Sequence, residues 1–280
     1  MKLLRHALLP LLCAAGIGGA HAAPARVVGL GGGVTEIVYA LDAGRMLVGA
    51  DISSIFPPAA LKLPKVGYYR TFSVEGVASL KPDVVLASDQ SGPPQALEQV
   101  RKLGSKVVIL PSEPTLQALD QRIIGVATAL DIPAKGQALV DKLHAELRDI
   151  KPATEPVRVL MVSSHTGKMQ AVGEDTAGDA MLKLAGATNV LAGQKGFKPF
   201  SAEAAAALRP DVIVTTTMSV NASGNVEAFL AQPGLNATPA ARARRIVVMD
   251  DLLLLGFGPR LPEALRLLQD GLAPRKSAAR

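Results

Sequence analysis

The sequence is poor in thiols and in aromatic side chains. Among its 280 residues there is one cysteine, Cys13, no tryptophan, and only three tyrosines, two of which are adjacent at Tyr68 and Tyr69. Cys13 lies in an N-terminal segment that we expect to be removed, so we predict that the mature chain has no thiol. That excludes disulfides, thiolate metal sites, iron–sulfur clusters and cysteine catalysis.

Long apolar runs are also lacking, apart from a short one near the start. An apolar stretch from Leu8 to Ile17 follows two basic residues, and Ala20-His21-Ala22 fits the small-residue cleavage pattern of an export signal. The stretch is too short to be a convincing membrane span. We therefore predict that residues 1–22 are a signal peptide and that the mature protein is periplasmic. Lipidation of Cys13 is a weaker alternative, because Leu12 stands where a small residue is normally required.

Three basic residues lie at the C-terminal end and supply most of the net positive charge expected of the mature chain. The formal net charge is +6, and Arg275, Lys276 and Arg280 fall within the last six residues. We interpret these residues as a basic tail rather than part of a nucleic-acid groove, and we expect no nucleic-acid partner. The sequence also lacks a Ser-His-Asp order, a zinc-ligand spacing or paired carboxylates, so we predict that the protein is not an enzyme.

Two fourteen-residue segments, 73–86 and 201–214, share seven residues at a constant offset of 128. Each begins with a serine that can cap a helix and places a glutamate in the first helical turn. Each then reaches a basic residue and Pro-Asp, which end the helix, and continues into a β-branched run typical of a strand buried on both faces. The repeat therefore predicts a helix followed by a strand, used once in each half of the chain.

Helix-like and strand-like patterns alternate around the two copies. This alternation indicates an α/β fold of two Rossmann-like lobes with parallel sheets, which we place at residues 23–132 and 153–280. Between them, residues 133–152 carry an apolar stripe at helical spacing, and no strand follows until Val157. We predict one long connector helix of about 25 Å. Because such a helix resists bending, we expect the lobes to move little relative to one another.

A glycine-rich turn, Gly29–Gly33, follows the first predicted strand, and Asp51 comes about twenty residues later. This is a partial match to the dinucleotide-binding fingerprint, in which Val34 replaces the third glycine. An exported enzyme that uses a nucleotide is therefore a remote alternative. We expect Thr35 to cap the short helix after the turn.

The adjacent tyrosines and Arg70 lie in a predicted loop directly after Gly67. Phenolate oxygens suit ferric iron, and tyrosine is an axial ligand of ferric haem. A free tyrosine titrates near pH ~10, so it needs the metal and a neighbouring guanidinium such as that of Arg70 to bind as phenolate. The alternative is that both tyrosines merely cover the edge of the lobe.

A second candidate ligand, His165, follows the predicted first strand of the second lobe. Residues beyond the carboxyl ends of parallel strands face the crevice in which α/β proteins bind ligands. His165 is therefore a candidate second axial ligand or hydrogen-bond donor. The alternative is a solvated surface histidine.

Glu75 and Glu203 occupy the same position in the two copies of the repeat. Compensation of the helix dipole would explain either one alone. As a pair, one on each lobe, they could also present two negative charges to a partner with approximate two-fold symmetry and basic pockets.

Taken together, the export signal, the two lobes, the connector helix and the repeat resemble the periplasmic binding proteins of iron-siderophore, cobalamin and haem importers. Within that group, residues 66–71 (Val-Gly-Tyr-Tyr-Arg-Thr), followed by 73–77 (Ser-Val-Glu-Gly-Val), are similar to the binding proteins of haem ABC transporters. The resemblance implies that Tyr68 is the axial ligand of haem iron and that Arg70 assists the phenolate or the haem propionates. It implies that His165 ligates the second iron where two haems are held.

Further roles follow from the same resemblance. Glu75 and Glu203 correspond to glutamates that dock onto arginines of the permease. Gly256–Arg260 is similar to a late cleft-lining loop of the family, which implies that Phe257 stacks on the porphyrin and that Arg260 reaches a propionate. We also expect apolar side chains to face the haem; the candidates are Phe197, Met169 and Met218.

The function implied is that of a monomeric periplasmic protein that takes haem from an outer-membrane receptor system and delivers it to an inner-membrane ABC permease. A ferric-siderophore or cobalamin binding protein on the same scaffold is the alternative. The sequence leaves open how many haems are bound and what Tyr69 does.

Overall fold

The computed structural model describes residues 25–153, 155–164, 168–200 and 202–274. The predicted signal peptide with Cys13, and the basic tail from residue 275 to residue 280, lie outside the described residues. Within the described ranges, no helix has both the length and the apolar character needed to cross a bilayer.

The N-terminal lobe alternates strands and helices as the sequence predicts. Its elements are β1 (Val27–Leu30), α1 (Gly32–Ala40), β2 (Leu47–Ala50), β3 (Gly67–Tyr68), β4 (Thr71–Phe72), α2 (Val74–Ser79), β5 (Val84–Ser88), α3 (Pro94–Lys102), β6 (Lys106–Leu110) and α4 (Leu116–Ala129). The main sheet is parallel, in the order β2-β1-β5-β6, and β3 and β4 form a separate antiparallel hairpin.

The helix α5 (Pro133–Arg148) occupies the position predicted for the connector. The elements that follow it are β7 (Arg158–Ser163), β8 (Gln170–Val172), α6 (Ala177–Ala185), β9 (Thr188–Asn189), β10 (Phe197–Pro199), α7 (Ala202–Leu208), β11 (Val212–Thr216), α8 (Thr217–Ala222), α9 (Val226–Leu230), α10 (Pro239–Arg242), β12 (Ile246–Met249), α11 (Asp251–Leu255) and α12 (Leu261–Leu272). The lobe boundaries at residues 132 and 152 stay a prediction.

The sheet of the second lobe is parallel only in part. Its order is β10-β8-β7-β11-β12, with β9 also beside β7. Strands β9, β7, β11 and β12 are parallel, but β8 runs antiparallel to β7, and β10 antiparallel to β8. The physical reason is chain length: six residues separate β7 from β8, whereas a parallel crossover needs a dozen or more. The expectation of an entirely parallel sheet is therefore corrected at this edge.

The sequence repeat is confirmed as a structural repeat. The backbone amide of Arg26 donates to Oδ2 of Asp83 at 2.7 Å, and that of Arg158 donates to Oδ2 of Asp211 at 3.0 Å. Each arginine also donates from Nη2 to a carbonyl at the end of the repeat's helix, at 2.7 and 2.8 Å. The aspartate of each Pro-Asp thus fixes the repeat's strand beside the first strand of its lobe.

Successive residues of the central strands enter different hydrophobic cores. In β1, Val27 and Val28 pack into separate clusters, and in β7 Leu160 and Met161 divide in the same way. All four are buried, which confirms strands covered on both faces. One cluster contains Val27 and Met161 together with Leu143 of α5. The two lobes therefore share a continuous core beside the connector, and this favours a fixed arrangement of the lobes.

Candidate ligand-binding cleft

The start of α1, which follows the carboxyl end of β1, and α11, which follows the carboxyl end of β12, bring residues of the two lobes together. Helix α1 begins directly after β1, and its first turn packs against the end of α11. A Cβ atom placed on Gly33 would lie 3.2 Å from the carbonyl oxygen of Gly256. In open α/β sheets, ligands bind in the crevice outside the carboxyl ends of the strands. We therefore place the candidate cleft beside this junction.

The glycine turn starts its helix earlier than the sequence predicts. Gly31, at φ 116°, is the N-cap residue of α1, so Thr35 lies inside the helix instead of capping it. Thr35 is fully buried, and its Oγ1 lies within hydrogen-bond distance of Oγ of Ser54, at 2.8 Å. The expectation of a cap at Thr35 was wrong, because glycine reaches the positive φ of this turn without steric cost.

The predicted tyrosine loop is the tight hairpin formed by β3 and β4. Tyr68 pairs with Thr71, which leaves Tyr69 and Arg70 as the two turn residues. Gly67 enters the hairpin at φ 96°, a conformation that favours glycine. Tyr68 is 39% exposed, which is unusual for a large aromatic side chain in this protein. Its side chain therefore retains accessible surface on a tight two-residue turn.

Tyr68, Tyr69 and Arg70 form a compact cluster on this hairpin. The two rings meet edge to face, with centroids 4.6 Å apart. Nε of Arg70 donates to the hydroxyl oxygen of Tyr69 at 3.1 Å, and the guanidinium carbon lies 5.1 Å from the centroid of that ring. Burial alone would lower the pKa of Arg70, but contacts with Tyr69 and Tyr68 outweigh it and raise that pKa.

The environment distinguishes the two tyrosines chemically. Burial, and after it the neighbouring Tyr68, raise the pKa of Tyr69 to about 12, while Arg70 opposes the rise. Tyr69 is therefore held as a neutral phenol at physiological pH and is a poor source of a phenolate. Tyr69 is the more buried member of the pair, and Tyr68 is the more accessible one.

The buried carboxylate of Asp51 ties the hairpin to the glycine turn. Its Oδ1 accepts from the amide of Gly31 at 2.9 Å and from Oγ of Ser54 at 2.9 Å. Its Oδ2 accepts from the amide and the hydroxyl of Ser53, at 2.9 and 2.6 Å, and from the amide of Tyr69 at 3.3 Å. Asp51 is fully buried, so it has no free oxygen for a ribose. The resemblance to a dinucleotide fingerprint therefore reflects an internal hydrogen-bond network.

Phe257 and Arg260, which belong to the predicted cleft-lining loop, make their contacts inside the protein. Phe257 is 2% exposed and packs inside the core shared by the lobes, so it offers no face for stacking. Arg260 donates from Nε and Nη2 to the two carboxylate oxygens of Glu36, each at 3.0 Å. Its guanidinium carbon also lies 3.5 Å from the ring centroid of Phe56. The structure thus differs from both expectations. Phe257 is buried and Arg260 is held in an ion pair with Glu36, so neither side chain is available to a ligand.

The second lobe contributes apolar side chains to the region of the cleft. Met218 lies just past the carboxyl end of β11 and is 47% exposed, and Phe197 on β10 is 44% exposed. Met169 is half-buried against the core of this lobe. His165 lies outside the described residues, and its role stays a prediction. The backbone amide of nearby Ser164 donates to Oγ of Ser219, at the carboxyl end of the sheet, at 2.9 Å.

Glu75 and Glu203 both lie in the first turn of a helix, α2 and α7 respectively. Both are exposed, and none of the ion pairs within the described part of the chain involves either of them. Oγ of Ser73 caps α2 by accepting from the amide of Gly76 at 2.9 Å, as predicted. Its counterpart Ser201 lies outside the described residues. The placement leaves both carboxylates available to an external partner.

A cavity of about 420 Å³ lies elsewhere, at the joint between the lobes. It is bounded by α1, α5 and the start of α12, and its lining includes Phe56, Lys142 and Arg260 but not Tyr68. It is therefore separate from the tyrosine hairpin. Among the described residues, no cluster of three or more His, Cys, Asp and Glu side chains is placed to hold a metal ion.

The sequence and the fold match known proteins over most of the chain. The profile of the periplasmic binding protein family matches residues 27–253. A solved structure of the periplasmic heme-binding protein BhuT in complex with two hemes is 42% identical, with a TM-score of 0.81 over 89% of this chain and 99% of BhuT. The apo structure of the heme-binding protein RhuT from Roseiflexus sp. RS-1 is 39% identical, with a TM-score of 0.84 over 90% of this chain and 100% of RhuT.

A more distant relative binds a different ligand. The vitamin B12-binding protein of Pectobacterium atrosepticum is 26% identical over 277 residues, which is 96% of this chain and 94% of that protein. The two lobes are therefore a scaffold that relatives use for more than one macrocyclic ligand.

Proposed function

We propose that this chain, which belongs to the periplasmic binding protein family, binds haem between its lobes and delivers it to an ABC permease of the inner membrane. The observation that carries the proposal is the exposed Tyr68 on a rigid hairpin, with the cation of Arg70 beside it. The likeness to two heme-binding proteins at 42% and 39% identity supports it. Haem is here a transported ligand, and we assign the protein no catalytic role.

In this proposal the phenolate oxygen of Tyr68 ligates ferric iron from the N-terminal lobe. Loss of the phenol proton is favoured by the metal and by the positive charge of Arg70. Tyr69 keeps its proton, packs against the ring of Tyr68 and accepts a hydrogen bond from Arg70. One tyrosine is thus the ligand and the other supports it.

Apolar side chains on both lobes would cover the faces of the porphyrin. On the N-terminal side this role falls to Ile52, which is 55% exposed and whose amide donates to the carbonyl of Gly67 in the hairpin at 2.9 Å. On the other side, Met218 and Phe197 expose apolar surface. Ligand sites of this kind combine apolar walls with a few convergent polar groups. Ile52 was missed at the sequence level, because one apolar residue in a loop carries no signal of its direction.

His165 remains the candidate ligand of the second lobe. It follows Ser163 at the carboxyl end of β7 by two residues, which supports a place on the cleft wall. We propose that it ligates a second iron if two haems are held, or donates a hydrogen bond if one is held.

A hemin titration of the Tyr68→Ala protein tests the proposal directly. We expect the variant to lose the charge-transfer bands of a phenolate-bound ferric haem and to bind hemin more weakly. The matched control is Tyr69→Phe, which keeps the ring and removes only the hydroxyl of the supporting tyrosine; its iron should stay ligated by a phenolate. Unchanged Soret and charge-transfer bands in Tyr68→Ala would rule out the assignment.

A cobalamin-binding function is the rival, favoured by the 26% identical relative that binds vitamin B12. The rival does not require a phenolate ligand on the hairpin. Titrating the purified protein with cyanocobalamin and with hemin separates the two. Tight cobalamin binding that survives Tyr68→Ala, together with weak hemin binding, would favour the rival.

The proposed route of the ligand begins at an outer-membrane receptor system and ends at the permease. We propose that Glu75 and Glu203 contact basic residues of the permease, one from each lobe. Their exposure at equivalent places in the structural repeat supports this role. We further propose that the protein acts as a monomer in the periplasm after removal of residues 1–22.

A further inference from the structure

The side chain of Arg70 is held at both ends although it lies at the surface. Nε donates to the hydroxyl of Tyr69 at 3.1 Å, and Nη2 donates to Oε1 of Gln90. An exposed arginine normally keeps most of its rotamer freedom, and fixing it costs conformational entropy. Two directional contacts on one guanidinium therefore define its position beside the tyrosines.

Gln90 is itself fixed by the strand ends behind it. Its Nε2 donates to Oγ of Ser112 at 2.8 Å, and its backbone amide donates to Oγ of Ser88 at 3.2 Å. The amide of Ser112 in turn donates to Oδ2 of Asp89 at 3.1 Å. Because the donor end of the Gln90 amide is used by Ser112, the acceptor end faces Arg70.

The same loop also contacts the backbone of the hairpin. The amide of Gly92 donates to the carbonyl oxygen of Tyr69 at 3.0 Å. Gln90 follows β5, and Ser112 follows β6, at neighbouring strand ends of the parallel sheet. The position of the Arg70 guanidinium is thus fixed relative to the main sheet of the N-terminal lobe, and not only relative to its own hairpin.

We propose that Gln90, backed by Ser112, is a positioning residue of the haem site, which holds the charge of Arg70 next to the phenolate of Tyr68. The inference depends on the proposed haem function and adds a residue to it. A neutral amide is the appropriate anchor, because it accepts the hydrogen bond without neutralising the guanidinium. A carboxylate at the same place would also hold Arg70 but would cancel much of the charge that stabilises a phenolate.

Two substitutions separate these effects. Gln90→Ala releases Arg70, and Gln90→Glu keeps an acceptor but adds a negative charge. For Gln90→Ala we expect hemin to dissociate roughly three- to tenfold faster, as for the loss of one ordinary hydrogen bond. For Gln90→Glu we also expect faster dissociation, because the added carboxylate offsets the charge of the guanidinium. In both variants we expect the phenolate-to-iron charge-transfer band to shift. Gln99→Ala, at an exposed position on α3, is the matched control and should change neither quantity.

A double-variant cycle distinguishes positioning from a general effect on the fold. If Gln90 acts through Arg70, Gln90→Ala should have no further effect on the dissociation rate in an Arg70→Ala background. If Gln90→Ala speeds hemin dissociation equally in the native and in the Arg70→Ala background, the proposal is overturned. An unshifted charge-transfer band together with a normal dissociation rate in Gln90→Ala would also overturn it. Thermal unfolding midpoints, measured for every variant alongside the kinetics, test that all of them are folded.

The outcome also separates this inference from the proposed function. If Tyr68→Ala abolishes the phenolate bands while the Gln90 variants behave like Gln99→Ala, haem ligation stands and only the positioning role fails. If Tyr68→Ala leaves the bands unchanged, the proposed ligation fails and the role of Gln90 fails with it.

Discussion

A bidentate salt bridge between Glu36 and Arg260 joins the two lobes. Nε and Nη2 of Arg260 donate to Oε1 and Oε2 of Glu36 at 3.0 Å each, across 224 residues of sequence. The side chains are 4% and 17% exposed, and Arg260 also stacks on the ring of Phe56. Burial raises the pKa of Glu36, and Arg260 opposes that rise. Arg260 therefore offsets only part of the cost of burying the Glu36 carboxylate, and the buried charge depends on this ion pair.

Removing the arginine should destabilise the protein strongly. Arg260→Met keeps most of the side-chain volume but leaves Glu36 buried without its cation. Breaking a buried pair in this way costs about 3–5 kcal/mol of unfolding free energy. The measurement is urea unfolding at neutral pH. Arg101→Met is the control, because its pair with Glu98 is 42% and 54% exposed and should cost less than about 1 kcal/mol.

The loss in Arg260→Met should depend on pH in a defined direction. In the native protein the pKa of Glu36 lies above its ordinary value of 4.5, so its favourable contribution is complete below pH 4.5 and is lost as the pH rises through the raised pKa. Without Arg260 that pKa rises further. The difference in stability between the variant and the native protein should thus be largest at neutral pH and shrink towards pH 4.5.

A second substitution checks the cause of that pH dependence. Adding Glu36→Gln to Arg260→Met removes the unpaired charge, so the double variant should recover stability at neutral pH and lose the pH-dependent part. A constant deficit across this range in both variants would show that packing, not charge, accounts for the loss.

The local features of this protein were predictable from its sequence, and the long-range ones were not. The repeat, with Asp83 and Asp211 at its strand starts, uses capping and strand signals contained in fourteen residues. The loop that contains Tyr68 was predicted from a glycine and its neighbours, although its hairpin pairing was not. The pair Glu36–Arg260 depends on how two lobes meet, and no pattern in either segment encodes that contact.

The wrong expectations have a common cause. Asp51 was included in a partial dinucleotide-binding fingerprint because of its spacing from the glycine turn, but that spacing also brings it back onto the amide of Gly31. Phe257 was expected in the cleft because its loop resembles one that lines it, yet the side chain enters the core. Sequence spacing fixes which backbone segments meet, while the direction of a side chain is set by packing.

Neutralising Asp51 should loosen the tyrosine hairpin. In Asp51→Asn, an NH2 group replaces one of the two carboxylate oxygens. That group is a donor, so it cannot accept the hydrogen bonds that this oxygen accepts in the native protein. Each hydrogen bond to a charged group contributes about 1.5–3 kcal/mol, so we expect a loss of at least about 2 kcal/mol in unfolding free energy and weaker hemin binding. Asp141→Asn, at an exposed position on α5, is the control. Normal hemin affinity in a destabilised Asp51→Asn protein would limit the network to a structural role.

Charge reversal at Glu75 and Glu203 tests the proposed contact with the permease. Both carboxylates are exposed, so Glu75→Arg with Glu203→Arg should cost only the helix-dipole contribution, about 0.3–1 kcal/mol at each site, and should leave hemin affinity unchanged. Haem-dependent ATP hydrolysis by the permease in proteoliposomes should fall sharply, because like charges would then face each other. Each single variant should have a smaller effect. Glu98→Arg with Glu155→Arg, also exposed, controls for net charge, and full stimulation by the Glu75 and Glu203 double variant would refute the docking role.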